Sequence, residues 1–278
     1  MFEVARCPAH RSILAWIEDE VGGWPQMPTR FEPNLHLPEF TYDESQLAQE
    51  CTQLRDELGF VPWRSTEGGA LIGMSTHYDP QQPLSDMYVG SFGHPRYQRA
   101  GPADYYQLPA KELSQAPRMD YLDSLGFRKV CPAVTLKPAF MRVISGFRVP
   151  VVRGTIRVIE GSQAFASRED GVGMHTDANP CKAMRVNLSV QTSDDFGLQY
   201  EGHAPLISKS GEHRIVCTDF NHRAWIRKRN KVQRIHFVFD VLPWLAYDAS
   251  RDAYSLNEFF GRKHPYDMVV ERNIWKGR

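Results

Sequence analysis

The chain has 278 residues, 42% hydrophobic and 24% charged, with 33 basic residues set against 33 acidic ones. That length can bury a sizeable core, and that composition is ordinary for a soluble globular protein. A formal net charge of zero gives no electrostatic reason to expect a nucleic acid or an anionic membrane as the main partner.

Acidic residues interrupt the apolar run of residues 1–20 early, so no secretory signal is expected there. No stretch approaches the length of a membrane-spanning helix. Over 44–60, Leu47, Cys51, Leu54 and Leu58 recur at spacings of four and three, which predicts one helix with a single apolar face. Glu44 supplies negative charge to its first turn and Gly59 can end it. Prolines at 62, 80, 83, 95, 102 and 109 then exclude long helices. Residues 1–130 are therefore expected to form a helical and loop-rich region.

From about residue 140 the texture changes. The segments 141–147, 155–161, 184–191, 198–202, 213–220 and 234–241 are each β-rich, and turn-formers separate most of them. In 234–241, Ile235, Phe237, Phe239 and Val241 share one face, the period of a half-buried strand. This succession predicts an antiparallel sandwich or barrel over 131–245, with 246–278 packed on it as a helix and tail. The whole is expected to be a single, mainly β domain of the α+β class. The five cysteines (Cys7, Cys51, Cys131, Cys181, Cys217) are scattered and form no CxxC pair. Neither a disulfide framework nor a cysteine zinc site is expected, and a reducing cytoplasm fits.

Two histidines are followed two positions later by an aspartate, in His77-Tyr-Asp79 and His175-Thr-Asp177. Such a pair is a weak signal alone, because a surface hydrogen-bonded pair has the same spelling. A non-haem iron(II) centre needs two imidazoles and one carboxylate on one side of the ion, with the remaining positions open. Residues i and i+2 of an extended strand point the same way, so the pair can supply two ligands. The third must come from a later strand. His175 has His222, 47 residues on, and Arg234 follows 12 residues later at the head of a strand. An arginine there suits a co-substrate carboxylate, because its planar fork binds two oxygens and stays charged when buried. His213 is a rival third ligand, with Arg223 ten residues after it. Arg185 has the alternative of a salt-bridged strand residue.

The runs 175–190, 216–225 and 234–244 together resemble the aspartyl/asparaginyl β-hydroxylase family of iron(II)/2-oxoglutarate-dependent oxygenases. The resemblance spans residues 155–245. Its most specific parts are the arginine ten residues after the first histidine, the His222-x-x-Trp225 spacing, and Asp240-Val241 after the final strand. It implies a double-stranded β-helix (jelly-roll, cupin-like) core. It also implies iron(II) on His175, Asp177 and His222, with 2-oxoglutarate and oxygen as co-substrates. Arg185 would lie nearer the metal-bound end of 2-oxoglutarate and Arg234 at its distal carboxylate. Two departures stand out: animal peptide-modifying members have glycine in place of Asp177, and a histidine in place of Asn187. Asn187 and Arg157 are further candidate co-substrate contacts. Asp177 makes this site similar to the fuller triad of small bacterial amino-acid hydroxylases.

The implied reaction hydroxylates an unactivated C–H of an amino acid or amino-acid-derived small molecule, with succinate and carbon dioxide as co-products. Two other readings remain open on the residues alone. One is a cupin-like metalloenzyme that does not use 2-oxoglutarate. The other is a non-catalytic jelly-roll binding module that would meet RNA through the basic stretch 222–234; a solvated hairpin turn is the favoured reading of that stretch. No nucleic acid or membrane partner is expected, and the sequence does not speak to oligomeric state.

Overall fold

The computed structural model describes residues 6–8, 11–37, 42–62, 71–80, 88, 124–160, 174–227 and 233–276. The N-terminal elements are β1 (Arg6–Pro8), α1 (Ile13–Trp16), α2 (Glu44–Leu58), β2 (Val61–Pro62), β3 (Leu71–Ser75), β4 (His77–Tyr78) and β5 (Lys129–Val130). Two short helices follow, α3 (Pro132–Thr135) and α4 (Pro138–Ser145). The β-rich half runs through β6 (Val151–Glu160), β7 (Met184–Gln191), β8 (Phe196–Tyr200), β9 (Leu206–Ile207) and β10 (His213–Val216). It continues with β11 (His222–Ile226), β12 (Gln233–Val241), β13 (Leu245–Asp248) and β14 (Ala253–Leu256), before α5 (Pro265–Val270).

The expected helix at 44–60 is α2. The Asp43 side chain accepts from the Gln46 N–H at 2.9 Å, and Gly59, at φ 73°, closes the other end. Leu47, Cys51 and Leu54 are buried on one face. Glu50 lies on that side too, and its carboxylate accepts from the backbone N–H groups of Ala139 and Phe140 at 3.0 and 3.2 Å. These are the first turn of α4, whose free N–H groups and positive dipole end favour an anion. That contact explains a correction: 141–147, expected as a strand, is mostly helical. Pro138 starts the helix, the α2 carboxylate caps it, and local β propensity yields to tertiary context.

The β-rich half forms antiparallel sheets, as the alternating segments require. One has the order β10-β7-β12-β6-β3-β2 and the other β11-β8-β9. A bridge between His175 and His222 adds residue 175 to the edge of the smaller sheet. From β6 to β12 the chain moves repeatedly between the two sheets. Among the described residues of the N-terminal half, β2 and β3 extend the large sheet and β1 pairs with β14. The C-terminal segment adds β13 and β14 besides its helix. Among the described residues, no helix is long and apolar enough to cross a membrane, and all five cysteines are buried and outside any disulfide.

The outer face of the large sheet carries the main core. Phe237 stacks edge-on against Phe140 of α4, and Phe239 does so against Phe147. Val186, Leu188, Ile156 and Val158 line the same face. The inner face is covered by the small sheet: Leu71 and Ile159 pack with Phe196 of β8 and Ile226 of β11 in a separate apolar cluster. Strand β12 is therefore buried on both sides from Arg234 to Val241. The sequence reads it as half-buried, because Arg234, His236 and Asp240 alternate with the apolar set. Those polar residues face the second sheet and not solvent.

Candidate metal centre

Backbone pairing brings the predicted ligands together. His175 and His222 exchange backbone hydrogen bonds at 3.0 and 2.9 Å, and the Asp177 N–H donates to Thr218 O at 2.7 Å. Extended backbone over 175–177 turns both of its side chains to one side, where the first residue of β11 meets them. The Asp177 Oδ2 atom lies 3.8 Å from His175 Nε2 and 3.6 Å from His222 Nε2. One ligand atom from each residue falls within 4.8 Å of the others. An ion about 2.1 Å from each ligand atom spans up to about 4.2 Å between them, so the two carboxylate–imidazole distances fit directly. The His222 Nδ1 is 2.8 Å from Phe220 O. That acceptor holds the proton on Nδ1 and leaves the Nε2 lone pair aimed at the cluster, the usual arrangement behind a metal-bound imidazole. His175 is exposed, whereas His222 is buried, so the cluster lies at the edge of the space between the sheets.

A ladder of charges stands behind Asp177. Arg185 Nη1 donates to Asp177 Oδ2, and its Nε and Nη2 donate to the two oxygens of Asp240 at 3.0 and 3.4 Å. Arg153 Nη1 lies 3.6 Å from Asp240 Oδ2. Burial by itself would raise the Asp177 carboxyl. The neighbouring Arg185 charge, with smaller contributions from His222, Arg153 and His175, overcomes it and holds the group far below the usual carboxylate range. Arg185, placed beside the co-substrate by the family resemblance, is thus engaged by two carboxylates. Arg157 is also between the sheets. Its Nε donates to Thr155 Oγ1 at 3.1 Å, and burial together with the Arg185 and Arg153 charges lowers it to about 9.

Arg234 stands at the other end of this inner face. Its register partner on β6 is Ile159, a member of the apolar cluster that joins the two sheets. His222 and Ile226 mark the two ends on β11, four residues or ~13 Å of extended strand apart. The Arg234 side chain is 0% exposed, and among the described residues none of its three nitrogens has a hydrogen-bond partner. Burial, aided by the Arg214 charge, lowers it to about 10. Two positions on, His236 is also buried; its Nδ1 is 3.3 Å from Asn187 Oδ1, and its Nε2 has no partner among the described residues. Burial and the neighbouring Arg234 and Arg157 charges keep that imidazole neutral. Asn187, the place where the family resemblance looks for a histidine, is therefore tied to a histidine on the next strand.

The rival ligands lie elsewhere. His213 is paired with Leu188, so it faces the outer core, where its ring meets Tyr42 edge-on. His77 is buried on β4 with its Nδ1 3.0 Å from Thr76 Oγ1. Residues 228–232 of the basic stretch lie outside the described residues. Sequence reasoning missed Arg153, His236 and Asp240 as parts of the site. For the last two the signal was present: they share the β12 face with Arg234, at i+2 and i+6.

No protein-family model matches the chain, and no curated protein matches it. Several solved structures are similar in part. The chain is 12% identical to the DMSP lyase DddQ from Ruegeria pomeroyi DSS-3 over 40% of its own length and 44% of that chain, with a TM-score of 0.22. It is 14% identical to EvdMO1 over 73% of its own length and 45% of that chain, with a TM-score of 0.37. It is 10% identical to IDO from Bacillus thuringiensis over 82% and 100% respectively, with a TM-score of 0.31. The match spans less than half of DddQ and of EvdMO1. All three TM-scores lie below 0.5, and no activity follows from them.

Proposed function

We propose that this chain is an iron(II)- and 2-oxoglutarate-dependent oxygenase on a double-stranded β-helix. In this reading it hydroxylates a C–H bond of an amino acid or amino-acid-derived small molecule and releases succinate and carbon dioxide. One observation carries the reading. The space between the two sheets has a His/Asp/His cluster at one end and a wholly buried, unpartnered guanidinium at the other. A buried cation without a counter-charge is costly, and an anionic ligand is the simplest compensation. The regular movement of the chain between sheets from β6 to β12 supports the β-helix.

His175, Asp177 and His222 would hold the iron. When bound, iron(II) supplies the activation of oxygen that C–H hydroxylation requires. The chain's own residues do the rest. The Phe220 carbonyl fixes the His222 tautomer. Arg234 anchors the distal carboxylate of 2-oxoglutarate. The Leu71, Ile159, Phe196 and Ile226 cluster keeps water from that end, which strengthens every charge interaction inside. Substrate approaches from the His175 side, where the cluster is exposed. The amino-acid class of the substrate rests on family resemblance alone.

Anaerobic addition of iron(II) and then 2-oxoglutarate, followed by visible absorption, tests the reading. A charge-transfer band that requires both additions and disappears in His175→Ala is the expected result. Iron binding without any band on addition of 2-oxoglutarate overturns it in favour of a metalloenzyme of another kind. Succinate release across an amino-acid panel then tests the substrate class.

A further inference from the structure

Asp240 is the last inner-face residue of β12 and is 3% exposed. It is not among the cluster of possible ligands. Its two oxygens take the Nε and Nη2 edge of Arg185, at 3.0 and 3.4 Å, while Nη1 of the same guanidinium reaches the metal-side oxygen of Asp177. A guanidinium is planar and rigid, so gripping one edge fixes the direction of the opposite N–H groups. A second cation also meets Asp240. The register of β12 on β6 shifts between Val238 and Asp240, so that Arg153 and Gly154 together face one residue. Arg153 sits in this bulge at φ 51° and lies 3.6 Å from Asp240. A side chain other than glycine is strained in that conformation, which persists where its surroundings over-determine it.

From this arrangement we infer that Asp240 is a positioning residue for the metal centre, acting on Asp177 through Arg185. The inference rests on the metal reading given above. Asp240 does two things. It orients the guanidinium so that the Asp177 oxygen is held toward both imidazoles. It also takes a share of the Arg185 charge, so that Asp177 is not captured by the arginine and keeps its affinity for a cation.

Cobalt(II) titration of the metal-free full-length chain, read by visible absorption, tests this without turnover. Asp240→Asn should weaken cobalt(II) binding roughly 10- to 100-fold, the usual effect of losing an outer partner of a ligand. In an Asp177→Ala background the same substitution should change affinity by no more than about twofold, because the route through Asp177 is gone. Arg185→Gln should show the same dependence on background, and it serves if Asp240→Asn does not fold. Equal losses with and without Asp177, or no loss in the parent, overturn the inference and leave the ladder a structural ion pair. If His175→Ala and His222→Ala bind cobalt(II) as the parent does, the metal reading itself has failed.

Discussion

Replacing Arg234 by methionine separates the stability of the empty protein from its affinity for an anion. The guanidinium is buried and unpartnered among the described residues, and burial lowers it to about 10, well below the usual arginine range. The sign follows: a base lowered in the folded state disfavours folding at every pH below both values, so the whole cost is present at pH 7. A shift of that size corresponds to roughly 3 kcal/mol. Methionine fills much of the stem's volume and removes the charge, so Arg234→Met should stabilise the ligand-free chain by about 2–3 kcal/mol. In a chain of this length that raises the melting temperature by about 5–10 °C. With metal and 2-oxoglutarate at about 100 times the dissociation constant, the parent should gain about 2.7 kcal/mol and the variant none. Paired thermal melts should therefore show the variant ahead without co-substrate and its advantage reduced or abolished with it. A variant less stable than the parent in the absence of ligand would show that the guanidinium has a compensating partner. Equal stabilisation of both by 2-oxoglutarate would remove Arg234 from the co-substrate site.

Three further outcomes can be measured by denaturant or heat. Phe196→Ala, in the cluster that closes the Arg234 end, should cost about 3–5 kcal/mol and admit water beside the arginine; urea midpoints check the first part and weakened 2-oxoglutarate binding the second. Glu50→Ala should cost about 2–3 kcal/mol by removing the carboxylate that accepts from Ala139 and Phe140, with Glu50→Gln intermediate in the same urea series. His77 is lowered to about 3, His213 to about 4 and His236 well below its ordinary value, each chiefly by burial. Below pH 6.5 the unfolded chain gains protons that the folded one refuses, so stability holds above that pH. It falls as pH drops toward 4, by roughly 1.4 kcal/mol per unit for each histidine. His77→Gln should lessen the slope of urea stability against pH between 6 and 5 by about that amount, and an unchanged slope would contradict the burial of that ring.

The sequence shows the backbone of this architecture where period and chemistry agree. Strands β7 and β12 are legible from alternation, α2 from its apolar spacing, and the convergence of His175, Asp177 and His222 from one HxD pair and one later histidine. Segment 141–147 is not legible, because what makes it helical is Glu50, about ninety residues earlier in the chain. The joining of β3 to β6 is hidden for the same reason: five residues of strand acquire their meaning from a partner distant in sequence. Arg153 is invisible because its role comes from a bulge, and one extra residue in a strand leaves no mark on a hydrophobic pattern.

Strand β12 shows why the site itself was only half readable. Alternation distinguishes two faces of a strand but not what the polar one meets. Water and an internal site ask for the same residue types, and Arg234, His236 and Asp240 satisfy either. What decides between them is whether a second sheet covers the polar face, and here Phe196 and Ile226 do cover it. Once the face is enclosed, each polar group needs a partner. Asp240 finds two arginines and His236 finds Asn187 through one nitrogen, while Arg234 finds none. The unmet requirement sits on the same inner face as the three predicted metal ligands' carboxylate partner, and a diacid held by the ion at one end would meet it at the other. A cation retained there at a cost to folding is best explained by a ligand that repays it in binding.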